Sequence, residues 1–221
     1  FASDGNASDV GDLTVARWLA MGQSSDISGY TSGGRFGIPI NPIDKFQFAS
    51  DANATDVGDI LVAASEGSGS SSTSHGYIAG GELSPGRINT IQKFPFAADA
   101  NASDVGDLTA VRNNNAGQSS VTHGYVSAGA TGGPGTPSPA AFINTFEKFS
   151  FASDANATNI GNLTQERWMA AGQSSTESGY TSGGAPTSNV IDKFSFTSDA
   201  DATDVGDLTQ GRAYAAGQSS S

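Results

Sequence analysis

Apolar residues in this chain fall in short clusters between polar, glycine-rich stretches, and the clusters return in the same order. The segment IDKFQF, residues 43–48, alternates: Asp44, Phe46 and Phe48 share one face of an extended strand, and Ile43, Lys45 and Gln47 share the other. Before it stands DISGYTSGG, residues 26–34, a short strand that carries Tyr30 and stops at two glycines. Earlier still is RWLAMGQSS, residues 17–25, a strand with small residues where the chain packs close to a neighbour. A loop rich in Asp, Asn and Gly then leads into a fourth short strand of the form VGDLT. Helical periodicity is missing throughout.

The four-strand order recurs along the whole chain. Nearly the same words begin at Phe1, Phe48, Phe96, Phe151 and Phe196, a spacing of 45 to 55 residues. A period of that size, with four short strands in each unit, predicts an all-β protein: a β-propeller whose radial sheets bury their faces against one another. A β-helix usually has a shorter period, and a sandwich would not repeat so literally. The count gives four complete blades, with a fourth strand left over at the N-terminus and a first strand left over at the C-terminus. Either the two leftovers share a fifth blade, or the array belongs to a larger ring. Residues 1–221 are read as one repeat array, a piece of a longer chain. The second copy departs at residues 60–74, where both the Arg and the Ala-Gly-Gln-Ser-Ser wording are lost. The third carries a Gly- and Pro-rich insertion at residues 130–141.

A strand ending in Gly-Gly, an aromatic strand after it, and an Arg opening the next unit resemble kelch-type propeller repeats. The diagnostic pair stands at Gly33-Gly34, Gly80-Gly81 and Gly183-Gly184, while the third copy has Ala128-Gly129-Ala130. The tryptophan of many kelch last strands is replaced by Val10, Val57, Val105, Ile160 and Val205. The near-verbatim wording is also similar to repeat arrays in tail-fibre-like structural proteins of marine bacteriophages, which implies a virion or extracellular setting.

Charge narrows the partners. The net charge of -12 disfavours nucleic acid and anionic membrane, and no apolar run suits membrane insertion. Cysteine is absent, which removes disulfides and thiolate metal sites. Fourteen of the 22 acidic residues lie in the repeated loop. Its pattern is carried by Asp4, Asn6, Asp9 and Asp12, by Asp51, Asn53, Asp56 and Asp59, by Asp99, Asn101, Asp104 and Asp107, and by Asp199, Asp201, Asp204 and Asp207. Hard oxygen ligands around a glycine turn suit calcium, whereas the same side chains also cap tight turns. The EF-hand spacing is not kept, and Asn159 and Asn162 replace two of the aspartates in the fourth copy.

Three other recurring positions have chemistry. Arg17, Arg112, Arg167 and Arg212 could form a ring for carboxylated sugars, or each could pair with an aspartate of a neighbouring loop. Tyr30, Tyr77, Tyr125 and Tyr180 would stack on sugars if exposed, or lie between sheets if not. His75 and His123 occupy matching places before Gly-Tyr, two ligands being a poor metal site. No serine has a His and an acid arranged to activate it, so an enzyme is not expected.

These readings predict a non-catalytic structural and receptor-binding module. Its partners would be a cell-surface glycan or protein receptor, or neighbouring virion proteins, with oligomers allowed and no cofactor required beyond a calcium option. The variable segments at residues 35–42, 82–89, 130–141 and 185–189 would form one rim. The alternative is a lectin with one sugar pocket per blade, and a fragment of a hydrolase comes third.

Overall fold

Four antiparallel sheets follow one another along the chain, each built from strands in sequence order. The computed structural model describes residues 6–133 and 140–219. Blade 1 holds Met21–Ser24, Ser28–Ser32, Pro42–Gln47 and Thr55–Asp59. Blade 2 holds Ser68–Ser71, His75–Leu83, Gly86–Pro95 and Ser103–Asp107. Blade 3 holds Ala116–Ser119, His123–Ser127, Ala141–Ser150 and Thr158–Arg167, with the short strand Ala130–Thr131 beside the third. Blade 4 holds Ala171–Ser174, Ser178–Ser182, Val190–Ser195 and Thr203–Asp207. The protein is an all-β, four-bladed β-propeller array, and among the described residues there is no helix.

The second copy keeps its first strand although the Ala-Gly-Gln-Ser-Ser wording is lost, in keeping with the count of four complete blades. Ser68–Ser71 pairs with the following strand in the register that Ala116–Ser119 uses in blade 3. What survives is the glycine. The first strands of successive blades lie side by side around the axis, with no room between their backbones. A Cβ on Gly69 would stand 2.0 Å from the Gly22 carbonyl oxygen, and one on Gly117 2.3 Å from that of Gly69. A serine ladder closes the same contact, Ser24 N donating to Ser71 Oγ and Ser71 N to Ser119 Oγ, each at 3.0 Å.

Between blades the core is aromatic. Tyr30 of blade 1 stacks on Phe96 of blade 2 at 4.8 Å and tilts against Phe94 at 5.4 Å. Tyr77 meets Phe149 and Phe151 in the same way, and Tyr125 meets Phe194 and Phe196. The glycine before each tyrosine makes this packing fit, because a Cβ on Gly76 would lie 2.3 Å from the Phe94 ring. Each blade therefore has a tyrosine-bearing side that needs the phenylalanine-bearing side of the next.

The chain ends continue the array without joining a sheet. Asp12 O accepts from Ala54 N at 2.8 Å, as Asp59 O accepts from Ala102 N, so residues 9–14 take the place of a fourth strand before blade 1. At the other end Tyr214 N donates to Met169 O at 3.1 Å and Ser174 N to Ser219 Oγ at 2.8 Å, so residues 214–219 take the place of a first strand after blade 4.

The glycine contact makes a matched pair of predictions. Gly69→Ala should lose about 2–3 kcal/mol of stability in chemical denaturation, because backbone cannot yield to the added methyl. Gly22→Ala, with nothing within 4 Å of its Cβ, should stay within about 0.5 kcal/mol of wild type.

Candidate functional site

The recurring arginines are structural hubs. Arg17 Nη2 donates to Asp44 Oδ2 at 2.8 Å, with both side chains excluded from solvent. Thr14, from the segment preceding the blade, adds its backbone N–H at 2.8 Å and its hydroxyl at 2.6 Å to the same carboxylate. Arg112 with Glu147 and Arg167 with Asp192 repeat the pairing, and Thr109 and Thr164 again supply the two extra donors. The partner is thus a third-strand residue of the blade that the arginine leads into, not the loop aspartate that the sequence suggested. Burial lowers the pKa of Arg112 and Arg167 from the ordinary arginine value, and the adjacent carboxylate opposes the shift. In blade 2 both partners change together: Ala64 stands in the Arg place and Gln92 in the acid place, where Gln92 Oε1 accepts from Val62 N.

The acidic loops act as clasps between blades. Asp9, Asp56, Asp104, Asn159 and Asp204 each accept from the glycine N–H two residues on, at 3.0–3.1 Å. Asn53 Oδ1 crosses to Asp12 N and Asn101 Oδ1 to Asp59 N, both at 3.0 Å, while Asn156 Oδ1 receives Asp107 N. At the last interface the residue types are exchanged, Asn162 N donating to Asp201 Oδ1 at 2.9 Å. One carboxylate and one amide are kept at every contact, which avoids facing two negative charges. Asp99, Asp154 and Asp199 pair with Lys45, Lys93 and Lys148 of the preceding blade, exposed ion pairs of small energetic weight. Asp51, Asp207 and Asn6 are exposed, and Asp4 lies outside the described residues. Among the described residues no three acidic or histidine side chains are grouped to hold a metal ion.

Tyr30, Tyr77 and Tyr125 are buried in the blade interfaces, and Tyr180 is half-buried under Lys193. His75 Nδ1 shares a hydrogen bond with Ser74 Oγ and His123 Nδ1 one with Thr122 Oγ1, both at 2.8 Å. Burial, then a nearby lysine, lowers both histidine pKa values and favours the neutral rings.

A second set of positions, not singled out in the sequence, surrounds the axis. Leu19, Glu66, Asn114, Met169 and Tyr214 occupy one place in the repeat, and all five have left-handed φ between 53° and 62°. Non-glycine residues rarely adopt this conformation, and it concentrates at functional sites. A chain of backbone bonds links them, Glu66 N to Leu19 O, Asn114 N to Glu66 O, Met169 N to Asn114 O and Tyr214 N to Met169 O. Together with their small neighbours they line an open cavity of about 420 Å³. A detectable signal existed: the wording RWLA, RNNN, RWMA and RAYA varies here inside an otherwise repeated frame.

This cavity mouth and the variable loops lie at the same end of the strands. Bridges join Trp18 to Arg35, Ser65 to Glu82, Asn113 to Ala130 and Trp168 to Ala185, tying each axial linker to the variable loop of its blade. Glu66 and Glu82 share the Asn113 amide at 2.7 and 2.9 Å, and Arg35 pairs with Glu82 at 3.2 Å. Burial first, then Glu82, raises the Glu66 pKa, while Asn114 and Arg35 pull it down. Trp18, Phe36 and Ile38 are more than half exposed on this rim, and Phe142 stacks on Trp168 at 5.1 Å. The histidines lie at the opposite end, and the acidic clasps run along the outer edge between neighbouring blades.

The fold places the chain in the class of repeat-built β-propellers. No protein-family model matches it, and no curated protein is similar enough in sequence to serve as a relative.

Two outcomes follow from the buried hubs and the clasps. Arg112→Ala should cost about 3–5 kcal/mol by leaving Glu147 buried and uncompensated, and adding Glu147→Gln should recover most of the loss by recreating the Ala64–Gln92 pair. Melting with and without a calcium chelator should give the same Tm within about 1 °C, because the clasp oxygens already accept N–H groups; a drop of several degrees would assign cations to the loops.

Proposed function

We propose that this protein is a non-catalytic binding module whose variable rim engages a cell-surface receptor, protein or glycan, as part of a virion or another extracellular appendage. The observation that carries the reading is the contrast between frame and rim. The clasps, hubs and aromatic interfaces repeat nearly word for word, while the five left-handed positions at the cavity mouth are five different residue types. Exposed Trp18, Phe36 and Ile38 add aromatic and aliphatic anchors of the kind that dominate recognition surfaces.

The virion setting rests on the tail-fibre-like wording of the repeats. Neighbouring virion proteins are partners of the same proposal. The lectin reading with one pocket per blade draws less support, since it needs the repeated tyrosines and arginines at the surface, and most of them are committed to the interior.

A glycan array and a panel of bacterial cells, probed with fluorescently labelled protein, test the reading. Trp18→Ala combined with Phe36→Ser should lower binding at least about tenfold, and Val121→Ser on the opposite end should leave it unchanged. Equal loss in both variants, or binding that survives the rim changes, would overturn it.

A further inference from the structure

Five polar side chains meet at one point of the rim, and their charges do not balance. Glu66 stands in the linker into blade 2, Glu82 in the strand His75–Leu83, Asn113 and Asn114 in the linker into blade 3, and Arg35 in the variable segment of blade 1. The Asn113 amide nitrogen donates to Glu66 Oε2 at 2.7 Å and to Glu82 Oε2 at 2.9 Å. Asn114 Nδ2 donates to the same Glu66 oxygen at 2.5 Å. Two carboxylates bonded to one nitrogen repel each other directly. A single guanidinium answers them, Arg35 Nη1 donating to Glu82 Oε1 at 3.2 Å. Arg87 lies opposite Glu82 in the strand pair but donates to the Gly132 carbonyl, and Arg112 is committed to Glu147. One negative charge is left over in a half-buried setting.

The carboxylates are wired into the backbone around them. Glu66 N donates to Leu19 O at 2.9 Å, and Asn114 N donates to Glu66 O at 2.6 Å. Glu82 exchanges two backbone bonds with Ser65, at 2.6 and 3.1 Å. Whatever loosens the pair therefore acts on the axial linkers and on the blade 2 loop. The pairing occurs once among the described residues: Leu19, Asn114, Met169 and Tyr214 take the place of Glu66 elsewhere, and Arg35, Ala130 and Ala185 that of Glu82.

We propose that Glu66 and Glu82 form a proton-operated latch on the rim. With one proton between them, Glu66 donates to Glu82 and a single negative charge remains for Arg35, which ties the blade 1 and blade 2 loops to the linkers. When that proton leaves to solvent, two like charges face each other across Asn113 and the contact loosens. Burial first, and then Glu82, raises the Glu66 pKa, against the pull of Asn114 and Arg35. A carboxyl with a raised folded-state pKa holds its proton more tightly folded than unfolded. Its stabilising contribution is present in acid and is lost as pH rises through the raised value, so the rim is tighter in acid. That the latch would regulate recognition rests on the rim reading; the latch itself does not.

Two measurements on the 221-residue chain test it. A carbon-detected NMR titration of the side-chain carboxyls should place Glu66 above the ordinary glutamate value, and Glu82→Gln should bring it down. Hydrogen exchange of the Glu82 and Asn114 amides, corrected for intrinsic rates, should show protection at least about twofold higher at about pH 5 than at about pH 8. The clasp amides of Ala102 and Ala157 serve as internal references. Glu66→Gln, whose amide accepts from the asparagines and donates to Glu82 at every pH, should abolish that difference. A Glu66 midpoint at or below the ordinary value, a midpoint unmoved by Glu82→Gln, protection that is flat in the wild type, or a pH response that persists in Glu66→Gln would each overturn the latch. No receptor enters either measurement, so failure of the latch and failure of the receptor reading remain distinguishable.

Discussion

Each sheet of this protein can hide its aromatic and charged groups only against the next sheet. A tyrosine on one side requires two phenylalanines from its neighbour, and a carboxylate in the third strand requires two donors from the preceding fourth strand. Neither requirement is met within a single blade. Stability is therefore a property of interfaces, as in other arrays where each unit touches only its neighbours. The buried arginine has the same logic, since its charge is tolerable only because the carboxylate and the backbone carbonyls around it are already in place.

The departures from the repeat respect these constraints. Blade 2 loses its arginine and its acid together, leaving the neutral pair Ala64 and Gln92. The last clasp exchanges Asp for Asn on one side and Asn for Asp on the other, so that Asn162 meets Asp201. In blade 3 the Gly-Gly turn becomes Ala128-Gly129, and Ala128 still takes the left-handed conformation with φ of 61°. Electrostatic pairing and backbone geometry were preserved where residue identity was not.

Repetition also divides the molecule into two regions with different characters. Along the outer edge the acidic loops are bound to adjacent blades by short side-chain-to-backbone bonds and vary little. Around the axis five left-handed residues border an open cavity, with variable segments and exposed aromatics on the same rim. A rigid frame beneath variable side chains allows recognition to change without disturbing the interfaces that hold the blades.

The number and order of strands were legible from the chain alone, because alternation in IDKFQF and the glycine stops after Gly-Tyr are local properties of extended backbone. So was the burial of the tyrosines between sheets as one of two alternatives. The partner of Arg17 was not: Asp44 is 27 residues away in sequence, and only the folding of the third strand beside the first linker brings it within 2.8 Å, while nearer loop aspartates turn to the next blade. The first strand of blade 2 keeps little of the repeated wording, because Ser-Gly-Ser-Ser shares only its glycine and last serine with Ala-Gly-Gln-Ser, and the need for that glycine arises from a carbonyl in a different blade. The axial ring was likewise decided by tertiary structure, since residues that vary along a sequence acquire meaning only when symmetry places them around one cavity. Local periodicity determined the strands; contacts across tens of residues determined which side chains became interior, clasp or rim.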